Sequence, residues 1–150
     1  MKTEAILQSE SSECGLACLA MVASHHGGGV GLRELRQRFP LSLKGASLSR
    51  MIGIAGQLGL QCRPLRLGLE ETGRLKTPCI LHWDLNHFVV LAKVGRKKLV
   101  ILDPAFGKRE MTLAEASDHF TGVALELAPG EGFALRKKAP AIAIRQLTGR

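Results

Sequence analysis

Residues 8–23 read QSESSECGLACLAMVA, a polar segment that ends at Cys14 and is followed by apolar, helix-forming residues. Ser11, Ser12 and Glu13 suit a helix N-terminus, because side-chain oxygens there accept backbone N–H groups and acids meet the positive end of the helix dipole. Cys14 is therefore predicted on the first turn of a buried helix. That position stabilises a thiolate and makes the sulfur a better nucleophile.

Two neighbours of Cys14 fit a reactive cysteine. Gln8 can offer a side-chain N–H donor near the sulfur, and a donor there together with the backbone N–H of Cys14 would form an oxyanion hole. Gly15 is expected to leave open space beside the sulfur for an incoming substrate. The alternative is a structural cysteine in an ordinary core helix, since free cysteines are among the most buried residues.

Length and composition favour one globular domain. The chain has 150 residues, of which 45% are hydrophobic and 4% aromatic, so aliphatic side chains must fill the core. No apolar run reaches the roughly 18 residues of a membrane span, and we expect no signal peptide. The four cysteines lack the spacing of a zinc site and are predicted to be reduced thiols, as in a cytosolic setting.

The net charge of +8 is compatible with nucleic acid, an anionic membrane surface or an acidic ligand. Basic residues cluster at 96–98, 108–109 and 136–138, and no aromatic residues interleave with them. A stacking platform for single-stranded nucleic acid is therefore not expected. The default interpretation of the positive charge is a basic surface in contact with solvent. The second interpretation is that the chain is attached next to a membrane.

The first 60 residues are predicted to be helical. The Cys14 helix should run to about Ser24, and its nearly uniform apolar character predicts a central position. A short amphipathic helix follows, with Leu32, Leu35 and Phe39 on its apolar face. Ser47 is a candidate N-cap for a third helix that Gly59 ends.

The remainder is predicted to be mostly extended, which makes the fold class α+β. The predicted strands cover 60–67, 79–83, 87–92, 99–102, 108–111 and 123–127. Pro64 marks an edge strand or a bulge, because proline cannot donate to a neighbouring strand. Thr112 and Glu115 form a capping box that starts a helix through Phe120. The helical N-terminal half should pack on a C-terminal antiparallel β-sheet.

Three residues in this scheme have the chemistry of a thiol peptidase. In a hairpin the start of one strand faces the end of the next, so His87 and Asp103 are predicted neighbours. A carboxylate fixes the tautomer of an adjacent imidazole, and a helix packed on the sheet could bring Cys14 to the other ring nitrogen. His82 and Asp84 are the rival acid–base pair.

The sequence resembles the N-terminal peptidase domain of bacteriocin-exporting ABC transporters, the double-glycine leader peptidases of the colicin V type. The resemblance covers residues 5–129. Its matching residues are Gln8, the block 13–21 (ECGLACLAM), the block 87–91 (HFVVL), Asp103-Pro104-Ala105 with Gly107, and the segment 120–125 (FTGVAL).

This resemblance implies a papain-like cysteine peptidase fold and an active site. Cys14 would attack the carbonyl after a Gly-Gly or similar pair at the end of a leader peptide. His87 would transfer the protons, Asp103 would orient His87, and Gln8 would help to hold the oxyanion. The peptidase domain would need no cofactor, and ATP would be used only in the full-length transporter.

The resemblance also implies a domain arrangement and partners. Residues 1–129 would form the peptidase domain, and 130–150 a linker leading toward a transmembrane domain absent from this chain. The fragment itself would be soluble, and the transporter would hold it at the cytoplasmic face of the bacterial inner membrane. The partners would be a precursor peptide with an amphipathic helical leader and the transmembrane and ATP-binding domains, without nucleic acid.

Other functions remain open at this point. A domain of the same fold could dock leader peptides without cutting them, or act as another papain-like enzyme such as an acyltransferase. Binding of nucleic acid through the basic charge would fall steeply with salt. Family members also hold the leader in an apolar groove, for which Met51, Ile52, Leu58 and Trp83 are candidates, although core packing explains these residues better.

Overall fold

The computed structural model describes residues 3–7, 13–40 and 45–133. Within these parts of the chain, four α-helices and a six-stranded sheet follow one another as α1 Cys14–His25, α2 Leu32–Arg38, α3 Leu48–Gln57, β1 Leu60–Arg66, β2 Cys79–Trp83, β3 His87–Val94, β4 Lys98–Asp103, β5 Gly107–Thr112, α4 Leu113–Ser117 and β6 Phe120–Pro129. A short 3-10 helix, Leu69–Arg74, connects β1 to β2 and was not predicted from the sequence.

The sheet is antiparallel throughout, in the order β1-β6-β2-β3-β4-β5. The last strand in sequence, β6, lies between β1 and β2, so β1 is an edge strand. Pro64 lies in this edge strand. Proline has no N–H group to donate, and at an edge this does not break the hydrogen bonding between two interior strands. The predicted α+β class and the edge position of Pro64 are therefore confirmed.

Apolar side chains cover both faces of the sheet. On one face, Phe88 and Val90 of β3 join the core cluster that contains α1 and α3. On the other face, Val89 and Leu91 belong to a second cluster that includes Ala116 of α4. A strand buried on both faces needs apolar residues without alternation, which explains the continuous run from Phe88 to Leu91.

Helix α1 is central, as its composition predicts, since residues 14–23 are all buried. The caps predicted for α3 and α4 are also present. The Ser47 side chain accepts a hydrogen bond from the Arg50 N–H at 3.1 Å. Thr112 and Glu115 form the reciprocal capping box at the start of α4.

The predicted extent of α4 is wrong. The helix ends at Ser117 rather than at Phe120, and Phe120 already begins β6. Phe120 pairs with Trp83 of β2, so pairing with the sheet outweighs the local helical pattern.

The space next to Gly15 is filled by the Met51 side chain, so the expectation of open space beside the sulfur is wrong. A Cβ atom built at Gly15 would lie 2.5 Å from Met51 Sδ and 3.4 Å from Ala46 Cβ. Gly15 therefore allows α3 and the segment before it to approach α1 closely. Its physical role is helix packing.

Replacement of Gly15 by alanine should lower the free energy of unfolding. Forcing an extra methyl group against the fully buried Met51 costs about 1–3 kcal/mol, whereas alanine gains only about 0.5–1 kcal/mol over glycine in a helix. Gly53→Ala is the matched control, because a Cβ atom at that exposed α3 position would have nothing within 4 Å. Urea unfolding should show Gly15→Ala destabilised and Gly53→Ala slightly stabilised; equal effects would contradict the packing role.

Candidate active site

Cys14 is the first residue of α1 and is 6% exposed. The preceding residue, Glu13, occupies the N-cap position, but its side chain makes no capping hydrogen bond. Its carboxylate instead forms an ion pair with Arg36 of α2, including a hydrogen bond from Nη2 to Oε1 of 3.2 Å. Glu13 therefore lies at the helix N-terminus as predicted, but it does not cap the helix by a side-chain hydrogen bond. Ser11 and Ser12 lie outside the described residues.

The ion pair between Glu13 and Arg36 links α2 to the residue that precedes Cys14. Glu13 is only 4% exposed, and a buried carboxylate without a partner would be strongly destabilising. Arg36 thereby compensates a buried charge next to the thiol. Sequence reasoning missed this contact, because the two residues lie 23 positions apart in different helices and no periodic pattern connects them.

His87 and Asp103 form the predicted contact. His87 is the first residue of β3 and Asp103 the last of β4. The Nε2–H group of His87 donates to Asp103 Oδ1 at 2.8 Å. The side chains are 19% and 3% exposed, so the pair is largely shielded from water. Nδ1 is the ring nitrogen that remains available to a thiol.

Asp103 is fixed by a second hydrogen bond, in which the backbone N–H of Ala105 donates to Oδ1 at 2.9 Å. Burial alone would raise the pKa of Asp103. The hydrogen bonds from His87 and Ala105 and the positive charges of His87 and Arg109 outweigh burial and lower the pKa from its ordinary value of 3.8. Asp103 is thus an anionic acceptor near neutral pH, suited to orienting an imidazole.

The environment of His87 favours the charged imidazolium. Burial by itself lowers the pKa of His87, but the hydrogen bond to Asp103, the interaction with the Cys14 side chain and the negative charges of both groups raise it to about 9. Because Cys14 contributes directly to this shift, the structure brings Cys14, His87 and Asp103 into one cluster. A thiol, an imidazole and a carboxylate in one cluster are the groups with which papain-like enzymes activate a cysteine.

We expect the His87 ring to titrate near pH 9, well above its ordinary pKa of 6.5. Since the pKa is higher in the folded state, the bound proton stabilises the fold fully below pH 6.5, and this contribution is lost as the pH rises through about 9. NMR titration of the ring nitrogens measures the midpoint. Asp103→Asn should lower it because the negative charge is lost; an unchanged midpoint would show that Asp103 does not set the charge of His87.

The other three cysteines are free thiols in less reactive environments. Burial raises the pKa of Cys62 to about 11. Burial and the charge of Glu126 raise the pKa of Cys79 to about 12. Burial, with the charges of Cys14 and Asp103, raises the pKa of Cys18 well above its ordinary value. All three should be neutral near pH 7.

The rival pair, His82 and Asp84, is separated. His82 Nδ1 lies 2.8 Å from the Thr121 hydroxyl. Asp84 Oδ1 lies 2.8 Å from Nδ1 of His119, whose ring stacks on Trp83. Each member of the rival pair has a different partner, so the structure does not support it as an acid–base pair.

The remaining predictions from the sequence concern the oxyanion donor, the C-terminal linker and the leader groove. Gln8, the expected oxyanion donor, and most of the expected 130–150 linker lie outside them, so both stay predictions. Of the groove candidates, Met51 and Trp83 are core residues, 0% and 1% exposed, whereas Ile52 and Leu58 are partly buried.

The described residues contain neither a candidate metal site nor a candidate membrane span. Within 3–7, 13–40 and 45–133, no cluster of histidine, cysteine and carboxylate side chains has the arrangement of a metal site. None of the helices in the same ranges combines the length and hydropathy that a membrane span requires.

Comparison with known sequences gives a family match and close relatives. The model of the Peptidase C39 family matches residues 2–132. The chain is 51% identical over 142 residues to the colicin V secretion/processing ATP-binding protein of Escherichia coli. The aligned region covers 95% of this chain and 20% of that protein. A probable microcin secretion/processing ATP-binding protein of the same species is 50% identical over 142 residues, with the same coverage. The chain thus spans about a fifth of the length of these relatives.

Solved structures agree with this family. A double glycine motif protease from an AMS/PCAT transporter, crystallised with the leader peptide, superposes with a TM-score of 0.80 and 35% identity over 85% of this chain and 92% of that one. The peptidase domain of Streptococcus ComA, a bifunctional ABC transporter, gives a TM-score of 0.77 and 27% identity over 85% and 98%. The fold is therefore that of a papain-like cysteine peptidase, and, since the family model spans most of the sequence, the chain belongs to the Peptidase C39 family.

Proposed function

We propose that this domain is a cysteine endopeptidase that cuts precursor peptides after a double-glycine leader. The observation that carries the proposal is the cluster of Cys14, His87 and Asp103, with a hydrogen bond of 2.8 Å between the last two. The structural similarity to a double glycine motif protease bound to a leader peptide supports the substrate class.

In the proposed reaction, Sγ of Cys14 attacks the carbonyl carbon of the second glycine while His87 holds the thiol proton. The tetrahedral oxyanion collapses, the C–N bond breaks, and His87 transfers the proton to the leaving amine. A water molecule, deprotonated by His87, then hydrolyses the thioester and releases the leader carboxylate. Asp103 orients the ring and stabilises its positive charge throughout.

Gln8 is proposed as the side-chain donor of the oxyanion hole, together with the backbone N–H of Cys14. Gln8→Ala should lower kcat by about 10²–10³-fold. Binding of the leader should be unchanged, because the lost hydrogen bond forms only when the oxyanion does. Single-turnover kinetics and fluorescence titration with a labelled leader measure the two quantities separately. A weaker leader affinity with an unchanged kcat would contradict this role.

The wider context is proposed from the relatives. Both Escherichia coli proteins are named as secretion/processing ATP-binding proteins. We infer that this domain works within an ABC transporter that exports the cleaved peptide, beside its transmembrane and ATP-binding domains. Only the ATP-binding domain would use a nucleotide, and the peptidase would act at the cytoplasmic face of the inner membrane without nucleic acid. The proposed domain limits remain 1–129, with 130–150 as the linker.

The test is cleavage of a synthetic precursor whose helical leader ends in Gly-Gly, followed by mass spectrometry. The matched control peptide carries Val-Val at the cleavage site and is otherwise identical. A single cut after the second glycine, absent from the control peptide, is the expected result. Binding of the precursor without cleavage would overturn the peptidase proposal in favour of a docking domain.

A further inference from the structure

Two hairpin turns carry large apolar side chains that project into solvent. Leu85, in the turn between β2 and β3, is 81% exposed, and Phe106, in the turn between β4 and β5, is 75% exposed. Among the described residues the other exposed large apolar side chains are Leu7 and Leu113. Single exposed apolar residues are common on protein surfaces and need no explanation by themselves. Whether Leu85 and Phe106 have a function therefore depends on where they lie in the fold.

Both turns lie at the end of the sheet that holds His87 and Asp103. Because β2, β3, β4 and β5 are consecutive antiparallel strands, their first and third connections reverse at the same end. Leu85 comes two residues before His87, and Phe106 three residues after Asp103. The N–H group of Phe106 also donates to the backbone carbonyl of Asp103 at 3.0 Å. The two turns therefore lie next to the strand ends that carry the proposed catalytic histidine and its carboxylate.

The turn that carries Leu85 is held in one conformation. Asp84 and Leu85 have φ angles of 51° and 67°, in the left-handed region that a leucine rarely adopts. The Asp84 N–H group donates to the His119 carbonyl at 2.8 Å, and the side chains of the same residues form a second contact of 2.8 Å. The His119 ring stacks on buried Trp83 at 5.2 Å. These contacts hold the backbone of the turn, and the Leu85 side chain remains outside the core.

Phe106 has a fixed neighbour as well. The guanidinium group of Arg109 lies over its ring, 5.6 Å from the centroid. One face of the ring is thus covered and the side chain remains largely exposed. We name the exposed side chains of Leu85 and Phe106, on neighbouring turns at the same end of the sheet, the turn patch.

The direction of the proposed reaction determines which part of the substrate meets the turn patch. His87 gives its proton to the leaving amine, so the residues that follow the cut must lie on the His87 side of Cys14. The leader, which stays attached to the sulfur as a thioester, lies on the other side. Leu85 and Phe106 lie on the turns next to His87 and Asp103, which makes them the exposed large apolar side chains, among the described residues, nearest along the chain to the group that protonates the leaving amine.

We propose that the turn patch is an apolar subsite for the residue that follows the cut, and that it makes this peptidase prefer precursors with an aliphatic or aromatic side chain there. This inference rests on the proposed function. It adds a preference on the side of the released peptide to the requirement for the glycine pair.

The test uses precursor peptides that share one leader and differ only in the residue after the cut, which is Leu, Ala or Asp. For the wild type we expect kcat/KM to be about tenfold higher with Leu than with Asp. Leu85→Asn removes the apolar side chain while tolerating the left-handed backbone. This variant and Phe106→Ala should each reduce the ratio to about twofold, whereas Leu85→Met should keep the preference.

Leu113→Ala is the control, because Leu113 is exposed but lies on α4, away from both turns. It should keep the full preference, and thermal unfolding should show that each variant is folded. Equal rates for the three peptides, or an unchanged ratio in both turn variants, would overturn the inference while leaving the proposed function intact. Failure of the wild type to cut any of the peptides would overturn the proposed function, and this inference with it.

Discussion

Cys14→Ala is expected to lower kcat/KM for the double-glycine precursor on the order of 10⁶-fold, the loss seen when a catalytic unit loses its nucleophile. Alanine has no atom that can form the thioester, so the stepwise route is closed. The variant should still bind the precursor, because the substitution removes one sulfur atom without changing the backbone. Mass spectrometry of the products and a binding titration measure both outcomes. Normal cleavage by the variant would exclude Cys14 as the nucleophile.

Cys62→Ala is the matched control for this experiment. Burial raises the pKa of Cys62 to about 11, so its thiol is neutral near pH 7. The control should retain activity. Brief treatment of the wild type with iodoacetamide should add one label, at Cys14, because the buried thiols of Cys18 and Cys79 have raised pKa values as well. Cys14→Ala should remain unlabelled under the same conditions.

His87→Ala should have a double effect. Activity should fall by about 10⁴-fold or more, because neither the thiol proton nor the leaving amine has a partner for proton transfer. The variant should also be less stable by about 1–3 kcal/mol at neutral pH, since the buried Asp103 carboxylate loses His87 and keeps only the hydrogen bond from the Ala105 N–H group. In the wild type, the lowered pKa of Asp103 stabilises the fold above pH 3.8, and this contribution is lost as the pH falls.

The destabilisation of His87→Ala should therefore shrink at acidic pH, where protonation removes the stranded charge. Urea unfolding at several pH values measures this trend. His82→Ala is the matched control, because His82 contacts Thr121 and lies outside the cluster. It should retain cleavage once its folding has been verified. A larger loss of activity in His82→Ala than in His87→Ala would reverse the assignment of the catalytic histidine.

Local rules were sufficient for much of the secondary structure. The caps at Ser47 and at Thr112 could be predicted because each side chain accepts a hydrogen bond from a backbone N–H group three residues away. The contact between His87 and Asp103 was also predictable, because a short hairpin turn fixes which strand ends face each other. Pro64 indicated an edge strand through its missing donor.

Contacts between distant elements could not be predicted in this way. The filling of the Gly15 space by Met51 depends on how α3 crosses α1, and the pairing of Glu13 with Arg36 depends on the position of α2. The end of α4 was misplaced because pairing of Phe120 with β2 competes with a local helical pattern. In each case the stabilising contact joins groups that lie far apart in the sequence. Rules based on periodicity and capping consider only neighbouring residues and do not include such contacts.

The helical half, most of the strands, the thiol, imidazole and carboxylate groups of the site and the resemblance to a family follow from the sequence alone. The structure adds that the N-terminus of α1 meets the end of the β3–β4 hairpin, where Cys14 raises the pKa of His87. It also places Leu85 and Phe106 on the turns next to His87 and Asp103. A hairpin can be predicted because it is specified by neighbouring residues, whereas the docking of a helix on a sheet is set by the packing of the whole core.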